Sequence, residues 1–149
     1  MLLKDICVVE VASCGRDAGI LEAARLMRQH HTGNLIVVDD PHGDRIPVGI
    51  VTDRDIVVEV LANELDPAKT TVAQIMSAKL VIAGGAEDIS DALERMRLQG
   101  VRRLPVVDHD GSLMGIVTLD DVLRLHAAQA AALADVVSKE QDHEHRARR

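Results

Sequence analysis

The chain of 149 residues carries a formal charge of −7, is 47% hydrophobic and contains no Phe, Tyr or Trp. An acidic surface without aromatic platforms excludes a nucleic-acid reader, which needs cations against phosphate and rings against bases. No apolar run reaches the roughly 18 residues of a membrane span, and Met1-Leu2-Leu3-Lys4-Asp5 lacks the apolar stretch of a secretory signal, so no membrane association and a cytoplasmic location are expected.

In chain order, a short strand is expected near 11–14, then a helix near 19–31. Ile20, Ala23, Ala24 and Met27 fall at the i, i+3, i+4, i+7 spacing of one apolar face, with Glu22, Arg25 and Arg28 opposite. The run Leu35-Ile36-Val37-Val38 reads as a buried strand. A turn carrying Pro41, His42, Gly43 and Pro47 leads to a strand at 48–51 and a helix over 54–63. Residues 64–71, containing Asp66-Pro67, read as a linker. The same order then returns: a strand near 80–83, a helix near 88–99 with Ile89, Ala92, Leu93 and Met96 on one face, and the run Leu104-Pro105-Val106-Val107. The tight turn Asp108-His109-Asp110-Gly111 precedes a strand at 113–117 and a helix at 119–127. An Ala-rich stretch beyond 127 favours helix, and the polar end, 139–149, is expected to fray.

One supersecondary unit is thus used twice. Residues 6–39 reappear as 75–108 at a constant shift of 69 positions. The closing phrases, Gly49-Ile50-Val51-Thr52-Asp53-Arg54-Asp55 and Gly115-Ile116-Val117-Thr118-Leu119-Asp120-Asp121, match at a shift of 66, the difference falling in the longer first turn. Each copy is too small to bury a sufficient core alone, so the two are expected to pack together. The domain reading is a first repeat at 1–63, a linker at 64–71, a second repeat at 72–127, and a C-terminal helix with a charged tail at 128–149.

Thr52-x-x-Asp55 and Thr118-x-x-Asp121 stand where a strand hands over to a helix, and two readings apply. The pattern is close to a capping box, although Asp is shorter than the preferred Glu or Gln. The same groups suit a ligand: a Thr hydroxyl and free helix N–H groups for phosphate, a carboxylate for vicinal ribose hydroxyls. Arg102 and Arg103 precede the second Leu-Pro-Val-Val, where the first copy has Gly33 and Asn34. They read either as a solvated pair or as a phosphate clamp that makes the two clefts unequal. Cys7 and Cys14 match no zinc or redox spacing and read as reduced, buried apolar groups. Asp53 and Asp55 read as helix-start acids rather than catalytic carboxylates, and His30-His31 and His143-x-His145 as solvated.

The ordered set, occurring twice, resembles the CBS domain, named for cystathionine β-synthase, and the tandem pair resembles a Bateman module. Carrying the resemblance are Asp5-Ile6-Cys7 and Gln74-Ile75-Met76 ahead of each unit, the helix apolar positions, Leu104-Pro105-Val106-Val107-Asp108 and the two closing phrases. It implies an α+β fold of tandem β-α-β-β-α repeats packed sheet to sheet about a pseudo-twofold axis. It also implies clefts for an adenosine-containing ligand such as AMP, ADP, ATP, NAD or S-adenosylmethionine. By that resemblance Thr52 and Thr118 contact phosphate, Asp55 and Asp121 contact ribose, Arg103 with Arg102 contacts phosphate, and the opening strands, Ala12, Ser13, Cys14 and Val81, Ile82, Ala83, line the adenine. A homodimer is implied as well.

The expected function is a regulatory sensor, with no catalytic residue, no metal and no cofactor beyond the adenine nucleotide as regulatory ligand. It is expected to signal by a conformational or dimer change to an unknown protein partner. A dimeric scaffold without ligand is the alternative, and a metal-dependent phosphohydrolase using Asp53, Asp55 and His residues is a weaker one.

Overall fold

Leu35, Ile36, Val37 and Val38 are each fully inaccessible to solvent, which requires their strand to be covered on both faces. In the computed structural model, which describes residues 1–149, that strand is β2 (Asn34–Asp39), central in a sheet of order β1-β2-β3. It runs parallel to β1 (Ser13–Cys14) and antiparallel to β3 (Ile46–Thr52), with a register irregularity between Val37 and Val38. Leu35 and Val37 pack towards α1 (Ile20–His30), meeting Ala23, Met27 and Val51. Ile36 and Val38 face the other way and meet Leu113, with Ile50 and Ile116 against them. The second copy repeats the layout as a sheet of order β4-β5-β6, formed by β4 (Ala83–Gly84), β5 (Arg103–Val107) and β6 (Leu113–Thr118), with α4 (Ile89–Gln99) between β4 and β5. The architecture is therefore α+β, with two three-stranded sheets packed through branched aliphatic side chains.

The opening strands are shorter than the expected 11–14 and 80–83. Only Ser13–Cys14 and Ala83–Gly84 pair, because each follows just two positions of its neighbour. The first closing helix also departs from a regular form: α2 (Asp53–Asp55) continues as a π-helix over Ile56–Leu61, where Ala62 N donates to Val57 O five residues back. The run Ile56-Val57-Val58 crowds the turn with β-branched side chains, which disfavours a tight α-helix.

The contacts that join the copies come in pairs that exchange under the 69-residue shift. Leu3 N donates to Glu87 O at 3.0 Å, and Val72 N to Ala18 O at 2.8 Å. Lys4 N donates to Gly85 O, and Ala73 N to Arg16 O. The first amides of α4 and α1 are satisfied in the same crossed way, Ile89 N by Met1 O and Ile20 N by Thr70 O. The bridges Leu2–Asp88 and Gly19–Thr71 form one such pair, and Val8–Ile116 and Ile50–Ser77 another, with Ile50 and Ile116 related by the 66-residue shift of the closing phrases. The segment ahead of each repeat is thus docked on the other repeat, anchored by the fully buried Leu3 and Val72.

Residues Met1–Val117 form one compact unit and Thr118–Arg149 a second. The second is a single helix, α5 (Leu119–Ala147), of 29 residues. It neither ends near 127 nor frays over 139–149 as expected. The segment has no Gly or Pro, is Ala-rich, and carries i,i+4 ion pairs, Lys139 to Asp135 at 2.8 Å and Arg148 to Glu144 at 3.9 Å. No helix is long and apolar enough to cross a membrane.

Docking of the leading segments needs two glycines. A Cβ on Gly115 would lie 2.6 Å from Cys7 Sγ and 2.9 Å from Val8 O, and one on Gly49 would lie 2.8 Å from Ser77 O. Gly115→Ala and Gly49→Ala are each expected to destabilise the protein by about 1–3 kcal/mol. Urea unfolding should show this as a lower midpoint at unchanged slope; an unchanged midpoint would show that the segments do not pack this closely.

Candidate ligand-binding cleft

Each closing phrase folds as a helix N-cap. Thr52, extended at φ −117°, accepts on Oγ1 from Asp55 N at 3.1 Å, while Asp55 Oδ2 accepts from Thr52 N at 2.9 Å. At the head of α5, Thr118 Oγ1 accepts from Asp121 N at 3.2 Å. Asp121 Oδ2 accepts from both Thr118 N and the Thr118 hydroxyl at 2.9 Å, and Arg124 lies 3.6 Å from its other oxygen. The shorter Asp therefore does reach back, and the capping reading of the motif is realised in both copies. Asp53, beside the first box, accepts from Arg54 N.

Thr52 also borders a cleft of about 290 Å³ within the first unit. Ile50 and Thr52 come from β3 of the first repeat. Leu80, Val81, Val101 and Pro105 supply the apolar wall from the second. Three cations, Lys79, Arg102 and Arg103, complete it, and no carboxylate is in the lining. Arg103, at the start of β5, is half-buried, and its Nε is enclosed without a hydrogen-bond acceptor. An enclosed guanidinium N–H without a partner is costly, which sets Arg103 apart from the other lining cations.

Of the residues expected to bind, the cleft brings together Thr52, Val81, Arg102 and Arg103. Asp55 is held in its box and is not in the lining. Ile82 is exposed and its carbonyl accepts from Arg95. Cys14 and Ala83, which occupy matching places in the two copies, are buried in the core, so their side chains cannot face an adenine. Ser13 Oγ is taken by Arg45 Nη2 at 2.9 Å, and Ala12 packs on the first-repeat core. Thr118 and Asp121 sit together at the head of α5. Lys79 and Leu80 were not foreseen. A signal for Lys79 lies in the repeat itself, since the matching position in the first copy is Glu10, a reversal of charge just ahead of an opening strand.

The CBS domain family model matches residues 3–62 and 72–128. The CBS domain-containing protein YhcV of Bacillus subtilis is 37% identical over 120 residues, which cover 80% of this chain and 81% of YhcV. A protein of Methanopyrus kandleri is 32% identical over 122 residues, covering 82% of this chain but 61% of that longer relative. Among solved structures, the CBS domain pair of protein MJ0100, in complex with 5′-methylthioadenosine and S-adenosyl-L-methionine, superposes with a TM-score of 0.73 at 31% identity, over 87% of this chain and 98% of that one.

Both thiols are free, and burial pushes them up: Cys14 to about 11, with Glu22 adding to the effect, and the half-buried Cys7 by a smaller margin. In the folded protein Cys14 is a thiolate only above about pH 11, whereas on unfolding it ionises around its ordinary 9.0. Stability contributed by the neutral thiol is therefore full below pH 9 and declines as pH rises through that window. Native protein at pH 8 is expected to leave Cys14 unalkylated by iodoacetamide, with both cysteines reacting in urea. Fast native labelling of Cys14 would place it outside the core.

Proposed function

The chain belongs to the CBS domain family, as a tandem pair, and on that footing we propose that it is a regulatory module that binds an adenosine-containing ligand in the cleft between its repeats. Arg103 carries this reading: a guanidinium held on a strand, with Nε enclosed and unpartnered, beside the Thr52 hydroxyl in a cleft with no acid of its own. The ligand-bound pair of MJ0100 supports the choice of an adenosine compound. In this reading the apolar wall around Leu80 and Val81 takes the base, and Arg103, Arg102 and Thr52 take the phosphate. Asp55 takes the ribose by leaving its capping box. That release costs about 1 kcal/mol, small beside the roughly 8 kcal/mol of a micromolar ligand. The backbone of 81–83 would lie beside the base. Binding would bias the packing of the repeats, or their pairing with a second chain, towards the state it contacts best, and a partner protein would read the change. The exposed Val57, Val58, Leu61 and Leu65 supply an apolar surface for a homodimer.

The closed capping boxes favour a second reading, a scaffold in which Thr52, Asp55, Thr118 and Asp121 only begin helices. Calorimetric titration with AMP, ADP, ATP, NAD and S-adenosylmethionine separates the two. At least one is expected to bind, and Arg103→Ala to weaken that ligand about tenfold or more, the loss of a hydrogen bond to a charged group. No heat and no thermal stabilisation from any of them would leave the scaffold.

A further inference from the structure

We infer that Lys79 is a specificity-determining residue that makes this cleft select by charge, preferring nucleoside di- and triphosphates to a monophosphate and rejecting the sulfonium cation of S-adenosylmethionine. The inference rests on the ligand-binding reading above and adds which ligand the cleft takes. Lys79 and Arg103 in a lining without a carboxylate make the cleft locally positive in a chain whose formal charge is −7. The cations also differ in placement. Arg103 is half-buried and fixed on β5, while Lys79 is exposed on the loop between α3 (Val72–Ile75) and β4. A fixed fork in the wall suits the first phosphate, and an ammonium on a flexible four-carbon stem at the rim suits those that extend outward. No ion pair occupies Lys79.

The duplicated copy supplies the contrast. At the places of Lys79, Arg102 and Arg103 the first repeat has Glu10, Gly33 and Asn34, so the cation set occurs once per chain. A ligand that is itself cationic meets repulsion in the cleft bearing Lys79, which is discrimination by an unfavourable contact rather than by fit.

The test is calorimetry at low salt, without divalent cations, using adenosine, AMP, ADP, ATP, 5′-methylthioadenosine and S-adenosylmethionine against wild type, Lys79→Ala and Lys79→Glu. Affinity is expected to rise about three- to tenfold with each phosphate beyond the first, at one tight site per chain, with S-adenosylmethionine weaker than 5′-methylthioadenosine. Lys79→Ala should flatten the step from AMP to ATP, lowering ATP affinity more than AMP affinity, and Lys79→Glu should reverse it. Because Lys79 is exposed, both variants should melt as wild type does. A flat phosphate series, a preference for S-adenosylmethionine, or an equal loss of AMP and ATP in Lys79→Ala overturns this inference while leaving an adenosine site in place. Silence from all six compounds and from NAD overturns the ligand reading and this inference with it.

Discussion

The reciprocal docking of the two leading segments is the constraint on which the rest of this fold depends. The first helix of each repeat takes the acceptor for its first amide from the other repeat's leading segment. Gly19, at the N-cap of α1, offers no side chain, and Ile20 N finds its acceptor on Thr70, from the segment that precedes the other repeat. The mirror contact joins Ile89 N to Met1 O. An amide orphaned at a helix start costs on the order of 1–3 kcal/mol if buried, so these crossed bonds are structural requirements. They are reinforced by Leu3 and Val72, each fully buried, at about 1.5–3 kcal/mol of apolar transfer apiece. The same segments run on into the cleft. Residues 70–77 dock on the first repeat and are followed closely by Lys79, Leu80 and Val81, so one stretch of chain serves both the joint and the cleft wall.

Duplication has left the two copies alike in the core and unlike at the rim. The positions that face inward keep their apolar character, as Cys14 and Ala83 or Met27 and Met96 show. Departures are spread over the exposed positions, and those at the cleft include Lys79 for Glu10 and Arg103 for Asn34. Packing tolerates few changes of volume, whereas a rim position tolerates a reversal of charge at little cost to stability.

Much of this was legible in the sequence because the signals were local. The 3.6-residue spacing of Ile20, Ala23 and Met27 located α1, and four consecutive branched residues located the doubly covered β2. The Thr-x-x-Asp phrases marked helix starts, though composition alone does not say whether the acid turns inward to its own backbone or outward. The exchange of leading segments left no such signal. Pairing Leu3 with Glu87 spans most of the chain, and nothing in either residue names its distant partner. The extent of α5 is harder to see, because charge at 139–149 suits a solvated tail as well as a helix held by acids and bases at helical spacing. For Lys79 the one signal in the sequence is the reversal of charge from Glu10, and only the fold sets it in the same lining as Arg103.

The crossed leading segments have a bearing on inheritance as well as on folding. A gene for one half would encode a chain lacking the strap that finishes its own first helix, and it would find that strap only in another copy of itself. Once the halves were fused, a change in either strap was felt on the opposite side of the molecule. The pair, and no longer the single repeat, became what selection could keep or discard.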